Sequence, residues 1–243
     1  MDCLILAAGY ATRLYPLTEN FPKPLLKVGD KTILDWLLED IEVTCSPDRK
    51  VVISNHKFAS VFRDWAPAGV EIVDDGTSTN DTRLGAVNDI RFAVEKLGLS
   101  GDALIVAGDN VLDFSLGKFV AYAREKGTSC IMRYYEPSEQ RLHKCGVVEV
   151  DPSDRVVSME EKPAEPRSHW CCPPFYYYKA EDVARIPAGI AAGCGTDAPG
   201  AYAAWLSSVV PVHAMEMPGS RFDIGNLESY RQVCEEYKGI VNK

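Results

Sequence analysis

Leu6-Ala7-Ala8-Gly9-Tyr10-Ala11-Thr12-Arg13-Leu14, followed by Pro16-Leu17-Thr18 and then Pro22-Lys23-Pro24-Leu25-Leu26, is the stretch from which the rest of the chain can be interpreted. It begins where a short apolar run, residues 2–6, empties into small residues, the pattern of a buried strand running into a loop. Small side chains let backbone N–H groups come close to a phosphate. Ala8 and Gly9, with Leu6 at the strand's end and Thr12 further along the loop, are candidates to contact a nucleotide. Arg13 and Lys23 add fixed cations suited to a triphosphate, Arg through its planar fork and Lys as a point charge. No Gly-Lys-Ser/Thr follows, so this is not a Walker A loop, and there is no Gly-x-Gly-x-x-Gly of a dinucleotide fold. For Gly9 alone a simple tight turn would be explanation enough. Arg13 and a lysine between two prolines make that explanation too small for the whole stretch.

Working outward, strand-like and helix-like segments alternate through the first half. Apolar runs at 50–54, 70–73 and 103–107 suit strands, while 32–43, 83–97 and 116–125 carry apolar residues at helical spacing. In 83–97 the stripe is Leu84, Val87, Ile90, Val94 and Leu97, and Asp81 or Thr82 would serve as its N-cap. Such alternation implies βαβ units and a mainly parallel or mixed central sheet flanked by helices, an α/β fold of Rossmann-like type. The second half changes character: 145–150, 155–159 and 175–178 look like strands with no helix between them, so a small antiparallel extension is expected. A helix near 198–208, a strand at 212–217 and a closing helix over 227–238 complete the pattern. No repeat or long linker interrupts it, and one domain over 1–243 is expected, with a nucleotide-binding part over about 1–127 and a substrate-binding part over about 128–243.

Composition narrows the function. A chain of 243 residues that is 46% hydrophobic and 25% charged has the profile of a globular protein able to bury a full core. Charged residues break every apolar run before it reaches a membrane span, and the first residues lack a signal peptide's basic region, so a cytoplasmic protein is expected. A net charge of −9 argues against a nucleic-acid surface, which needs clustered cations. It does not exclude a small anionic substrate held by a local cluster of Arg and Lys. The eight cysteines show no Cys-x-x-Cys pair, so reduced, mostly buried thiols are expected rather than structural zinc.

The N-terminal stretch closely resembles the signature of the sugar-1-phosphate nucleotidyltransferases, the nucleotide-sugar pyrophosphorylases, and is nearest in pattern to their thymidylyltransferases. Gly108-Asp109-Asn110, Gly146-Val147-Val148-Glu149, Glu160-Glu161-Lys162-Pro163 and Phe222-Asp223-Ile224-Gly225 resemble further motifs of that family in the same order. The resemblance implies a core whose N-terminal loop holds the triphosphate, with Arg13 and Lys23 acting in catalysis. It makes Asp109 and Asp223 the ligands of a Mg²⁺ ion, a role their hard oxygen donors suit. Taken alone, Asp109 could equally be a turn or cap residue before 112–118, and Asp223 an ordinary loop acid. The resemblance also implies that Lys162 holds the phosphate of the second substrate, that Glu161 binds a sugar hydroxyl and that Gly146 lies close to the sugar. Asn80 and Gly85 fall in the segment where the family contacts the base. A polar loop ahead of a helix and a solvated lysine among acids are the plainer explanations for those positions.

The implied activity joins a nucleoside triphosphate to a sugar 1-phosphate and releases pyrophosphate. Family members are often oligomeric, so a homo-oligomer is an expectation that the resemblance carries. Three departures bear on the substrate. Ala11 stands where the family usually has a glycine, Pro173-Pro174 stand where thymidylyltransferases have Thr-Gly, and segment 75–85 differs from their base-reading pattern. Prolines remove backbone donors, so contacts there must differ. A cytidylyltransferase acting on a non-sugar phosphate or phosphonate such as phosphocholine is the alternative enzyme, and a non-catalytic nucleotide-sugar binder is the alternative class.

Overall fold

The computed structural model of the protein describes residues 1–241. Strand β1 (Asp2–Leu6) is followed by the hairpin β2 (Lys27–Val28) and β3 (Lys31–Thr32), helix α1 (Ile33–Asp40), β4 (Arg49–Ser54), α2 (His56–Trp65) and β5 (Val70–Asp74). Next come α3 (Ala86–Leu97), β6 (Ala103–Ala107), β7 (Asn110–Leu112), α4 (Gly117–Lys126), β8 (Ser129–Tyr135), α5 (Glu139–Leu142), β9 (Gly146–Val150) and β10 (Val156–Glu161). The remainder holds β11 (Trp170–Cys172), β12 (Phe175–Tyr178), α6 (Ala180–Val183), α7 (Ile186–Ala191), α8 (Gly200–Val209), β13 (Val212–Glu216), β14 (Arg221–Asp223) and α9 (Leu227–Glu236). The architecture is α/β with mixed sheet and flanking helices, and none of the described helices is long and apolar enough to cross a membrane.

The chain packs as two compact units, each drawn from separated stretches. The first takes residues 1–2, 84–106 and 119–217; the second takes 3–83, 107–118 and 218–241. In the second unit β1, β4 and β5 lie side by side, with β4 and β5 parallel and Val52 opposite Ile72. Cys3, Leu4 and Ile5 are fully buried, as are Val51, Val52 and Ile53. That burial on both faces explains why these strands appear in the sequence as unbroken apolar runs. A second apolar cluster joins Leu14, Leu26, Val28, Ile33, Val111, Ile224 and Val233. It anchors the loop that follows β1 and the short antiparallel ribbon of β7 and β14.

In the first unit the strand order is β10-β9-β11-β8-β12-β6, and β13 lies parallel to β8 at the side. The pairs β10·β9, β11·β9, β11·β8, β12·β8 and β12·β6 are antiparallel, so the expected antiparallel extension is present. Several elements were not among those expected, the longest being α2 and β8. Helix α2 buries Phe58, Ala59 and Phe62 on one face, but its remaining residues are mostly polar. The apolar core of β8, Cys130 to Met132, is only three residues long, too short to tell a strand from a helix turn.

Helix ends follow local chemistry. Thr32 and Asp35 form a reciprocal capping box at α1, each side chain accepting from the other's backbone N–H at 3.0 and 2.9 Å. Asn55 caps α2 by accepting from the Phe58 N–H at 3.0 Å, and its Nδ2 donates to the Ala8 carbonyl at 2.9 Å. One buried side chain therefore starts a helix and tethers the N-terminal loop. Helix α3 starts at Ala86, not at Arg83, and its N-cap is Gly85, not Asp81 or Thr82; those two lie in a separate 3₁₀ turn capped by Thr79. The reason is tertiary: the Asp197 and Thr196 carbonyls accept from the Ala86 and Val87 N–H groups at 3.1 and 3.0 Å, so no side-chain cap is needed.

Two stability predictions follow from this packing. Replacing Asn55 by Ala removes a cap and leaves buried backbone groups unpaired, and should lower unfolding free energy by about 2 kcal/mol in urea titration. Asn55→Asp, which keeps the capping oxygen but turns a carboxylate on the Ala8 carbonyl, should recover only part of that loss. Gly85→Ala should cost about 3 kcal/mol, because φ there is +87° and a methyl group would stand 2.5 Å from the Thr196 carbonyl oxygen; an unchanged melting temperature would contradict this account.

Candidate functional site

The second unit gathers the groups suited to a polyphosphate. The loop after β1 is held from three sides: the Leu6 carbonyl accepts from the Gly108 N–H at 2.9 Å, the Ala8 carbonyl from Asn55, and the Ala11 carbonyl from the Thr18 hydroxyl at 2.8 Å. Gly9 is exposed, and a methyl group on it would meet nothing within 4 Å. The tight turn lies instead at Ala11, with φ 47° and ψ 41° in the left-handed region that glycine prefers. The departure from glycine at position 11 is thus a locally strained one. Gly9 is not a turn residue; its lack of a side chain leaves the loop open to solvent.

Lys23 begins a 3₁₀ turn, Lys23–Leu25, that Pro24 favours with its fixed φ. The lysine is only 6% exposed, and its ammonium donates to Asp109 Oδ2 at 2.7 Å. A cation that deep needs a partner, and Asp109 supplies it. Asp109 reaches this position because Gly108 precedes it, where a methyl group would sit 2.9 Å from Ile5 Cγ2 and 3.2 Å from the Leu6 oxygen. Only glycine allows so close an approach to β1.

Asp109 is followed by β7, not by a helix over 112–118, so it is not a helix cap. Its Oδ1 accepts from Asn110 Nδ2 at 2.8 Å, and Asn110 Oδ1 accepts from Arg221 Nη1 at 2.7 Å. The amide faces a group that only accepts on one side and one that only donates on the other, which settles its orientation. Burial acts to raise the Asp109 carboxyl, but Lys23, with Arg221 beyond it, holds it below the usual carboxylate range. It is ionised at neutral pH. Asp223 lies opposite Asn110 in the β7·β14 pair and is exposed. Two residues on is Gly225, and Arg13 Nη1 lies 4.0 Å from the point where a Gly225 methyl group would stand. Arg13, Lys23, Asp109 and Asp223 are thus tied to one region by these contacts. Asn80 belongs to the same unit but sits on the exposed 3₁₀ turn Asn80–Thr82. Thr12, also exposed, opens the turn that carries Arg13.

No three His, Cys, Asp or Glu side chains form a metal-binding group among the described residues. Asp109 and Asp223 offer two carboxylates, and a small hard cation commonly takes one or two carboxylates and completes its shell with phosphate oxygens and water. The donor set fits such an ion.

The remaining expected positions belong to the first unit. Glu161 ends β10 opposite Gly146 on β9. A methyl group at Gly146 would come within 2.9 Å of Glu161 Oε2, so the glycine makes room for that carboxylate. Burial raises the Glu161 carboxyl above its ordinary range, with Lys162 acting the other way. Lys162 is exposed and in the left-handed region at φ 51°, its N–H donating to the Cys145 carbonyl at 2.9 Å. A lysine in that conformation is uncommon outside turns and functional sites. Gly85, expected near a base, is accounted for by backbone packing against Thr196 and Asp197.

Three positioning features were not legible in the sequence: Asn55, the tie of Arg221 to Asn110, and Gly200, where an added methyl group would strike Glu161. Each depends on a contact between residues tens of positions apart, and nothing in local composition marks them.

With this geometry in place, the chain can be set beside known proteins. It is 28% identical over its whole length to a UTP–glucose-1-phosphate uridylyltransferase of Synechocystis, spanning 64% of that protein. It is 29% identical over 78% of its length to a glucose-1-phosphate thymidylyltransferase of Mycobacterium tuberculosis, of which it spans 65%. The chain therefore covers about two thirds of these relatives, and only 38% of a bifunctional GlmU protein of Methanococcus aeolicus to which it is 31% identical. In fold it is similar to the crystal structures of a UDP-glucose pyrophosphorylase, apo and with UDP-glucose, with TM-scores of 0.83 and 0.82 at 16% identity and 97% coverage of both chains. A model of the family described as nucleotidyl transferase matches residues 2–239, and the chain belongs to that family.

Proposed function

We propose that this protein condenses a nucleoside triphosphate with a sugar 1-phosphate, releasing pyrophosphate and a nucleotide sugar. The observation that carries this reading is the Lys23–Asp109 pair at 2.7 Å, with Arg13 and Asp223 placed alongside, in a chain of the nucleotidyl transferase family. Relatives named for uridylyl and thymidylyl transfer to glucose 1-phosphate support the sugar-phosphate class. A cytoplasmic setting follows from the nucleoside triphosphate as substrate.

The chemistry brings an anionic phosphate monoester to an anionic triphosphate. Alignment and charge neutralisation are then the main tasks. In this reading the loop of Leu6, Ala8, Gly9 and Thr12 presents backbone groups to the triphosphate and Asn80 borders the base, while Gly85 is held by its packing against Thr196 and Asp197. Arg13 and Lys23 stabilise the charge that builds on the α-phosphorus oxygens and on the departing pyrophosphate. Asp109, kept ionised by Lys23, and Asp223 would hold Mg²⁺, which supplies further charge neutralisation at the phosphates when bound. Lys162 neutralises and orients the attacking phosphate, while Glu161 and Gly146 meet the sugar. No general base is required, because a phosphate monoester is already ionised near neutral pH. The bond formed is from the acceptor's phosphate oxygen to the α-phosphorus; the bond broken is the α–β phosphoanhydride, and pyrophosphate leaves with its electron pair.

The test is pyrophosphate release across five nucleoside triphosphates and a panel of sugar 1-phosphates, phosphocholine and small phosphonates, with Mg²⁺ present. Release with one triphosphate and one sugar 1-phosphate is expected. Release only with CTP and a non-sugar acceptor would replace this reading with the cytidylyltransferase. A chelator should abolish turnover, and added Mg²⁺ should restore it. Asp109→Asn, which keeps the shape but not the charge, should lower kcat about a thousandfold, roughly 4 kcal/mol of barrier, with its circular dichroism unchanged. Full activity in that variant would overturn the metal assignment.

A further inference from the structure

Gly200 is the first residue of α8, which packs on β10. A methyl group at that position would stand 2.1 Å from Glu161 Oε2 and 3.2 Å from Glu161 Cδ, with the Tyr176 hydroxyl at 3.5 Å. A methyl group on Gly146, in the neighbouring strand, would stand 2.9 Å from the same oxygen. The Glu161 carboxylate therefore lies in a slot between two glycines, and no hydrogen bond to it is seen among the described residues. The buried Tyr176 beside it stays neutral, since burial pushes its phenol well above the ordinary range.

The glycine at 200 is not explained by the backbone. It lies outside the left-handed region, and alanine is the better residue inside a helix. At Gly85 an added methyl group would collide with main-chain atoms that cannot yield. At Gly200 it would collide with the far end of one flexible side chain, which can move. The missing side chain thus matters to where the carboxylate sits and not to whether the helix forms.

We propose that Gly200 is a positioning residue for the acceptor site: by leaving the slot open it holds the Glu161 carboxylate where it meets the sugar. This rests on the reading of Glu161 as an acceptor-binding group. The consequence is specific to one substrate, because the atoms nearest an added methyl group at Gly200 belong to Glu161 and Tyr176, and neither residue is assigned to the triphosphate.

The experiment uses three variants of the full chain: Gly200→Ala, Glu161→Asp, and both together. With the acceptor and triphosphate identified by pyrophosphate release, Gly200→Ala should raise the acceptor KM at least tenfold, leave the triphosphate KM within twofold and not lower the melting temperature. Shortening the carboxylate by one methylene frees the space that the new methyl group takes. The double variant should therefore bind acceptor better than the two single effects multiplied together would allow. An unchanged acceptor KM, strictly multiplicative effects, or a joint rise of both KM values with a lower melting temperature would overturn the proposal. A second readout does not depend on turnover: the ¹³C titration midpoint of the Glu161 carboxyl, raised by burial in the parent, should fall toward the ordinary glutamate value in Gly200→Ala. An unmoved midpoint would overturn the positioning role. A moved midpoint in a protein that releases no pyrophosphate with any pair would instead locate the failure in the reading of the reaction.

Discussion

A buried lysine that needs a partner is the constraint around which the second unit is arranged. Removing an ammonium from water costs several kcal/mol unless a carboxylate meets it, and Lys23 is almost wholly buried. Asp109 meets it, and the rest follows from bringing Asp109 to that place. Residue 108 must lie against the end of β1, which requires a glycine there. Asn110 must turn its amide between Asp109 and Arg221, and β14 must pair with β7, which puts Asp223 across from Asn110. The pair is also what keeps Asp109 charged at neutral pH against the effect of burial. A carboxylate that would otherwise be pushed toward its neutral form is in this way held ionised by its neighbour.

The loop after β1 shows the same economy of parts. Three hydrogen bonds to its carbonyls fix its path, and the Ala7 N–H donates to the Ile53 carbonyl at 2.9 Å. Ala11 adopts a left-handed conformation that a glycine would hold without strain. Lys162 is a second non-glycine residue in that region, in the motif assigned to the other substrate. Strain of this kind persists only where surrounding contacts over-determine the backbone, as the Cys145 carbonyl does for the Lys162 N–H.

Glycines in this protein divide by what their missing side chain would meet. At Gly85 and Gly108 the neighbours are main chain or packed core, and the requirement is that of the fold. At Gly146 and Gly200 the neighbour is the Glu161 carboxylate, and the requirement is that of one side chain's place. Gly9 meets nothing, so its openness faces outward. Five residues of one type thus answer to three different physical demands.

Most of the fold was legible in the amino-acid sequence because burial on both faces leaves a local trace. The runs at 2–6, 50–54 and 103–107 are strands for that reason, and the stripe from Val87 to Leu97 is a helix because one face is buried. Element ends were less legible: α3 begins at Ala86 because carbonyls from 196 and 197 cap it, a contact with no local signature. Part of the candidate site stood out in the sequence, since charged residues in small-residue or proline-rich loops have few structural reasons to be there, as with Arg13, Lys23 and Asp109. The sequence by itself determined which residue types stand ready for phosphate and cation chemistry. Only the tertiary structure decided that Lys23 and Asp109 neutralise each other, that Asn55 serves both a helix and a loop, and that Gly200 frames Glu161. Those outcomes depend on distances between residues far apart in the chain, and such distances exist only once the chain has packed.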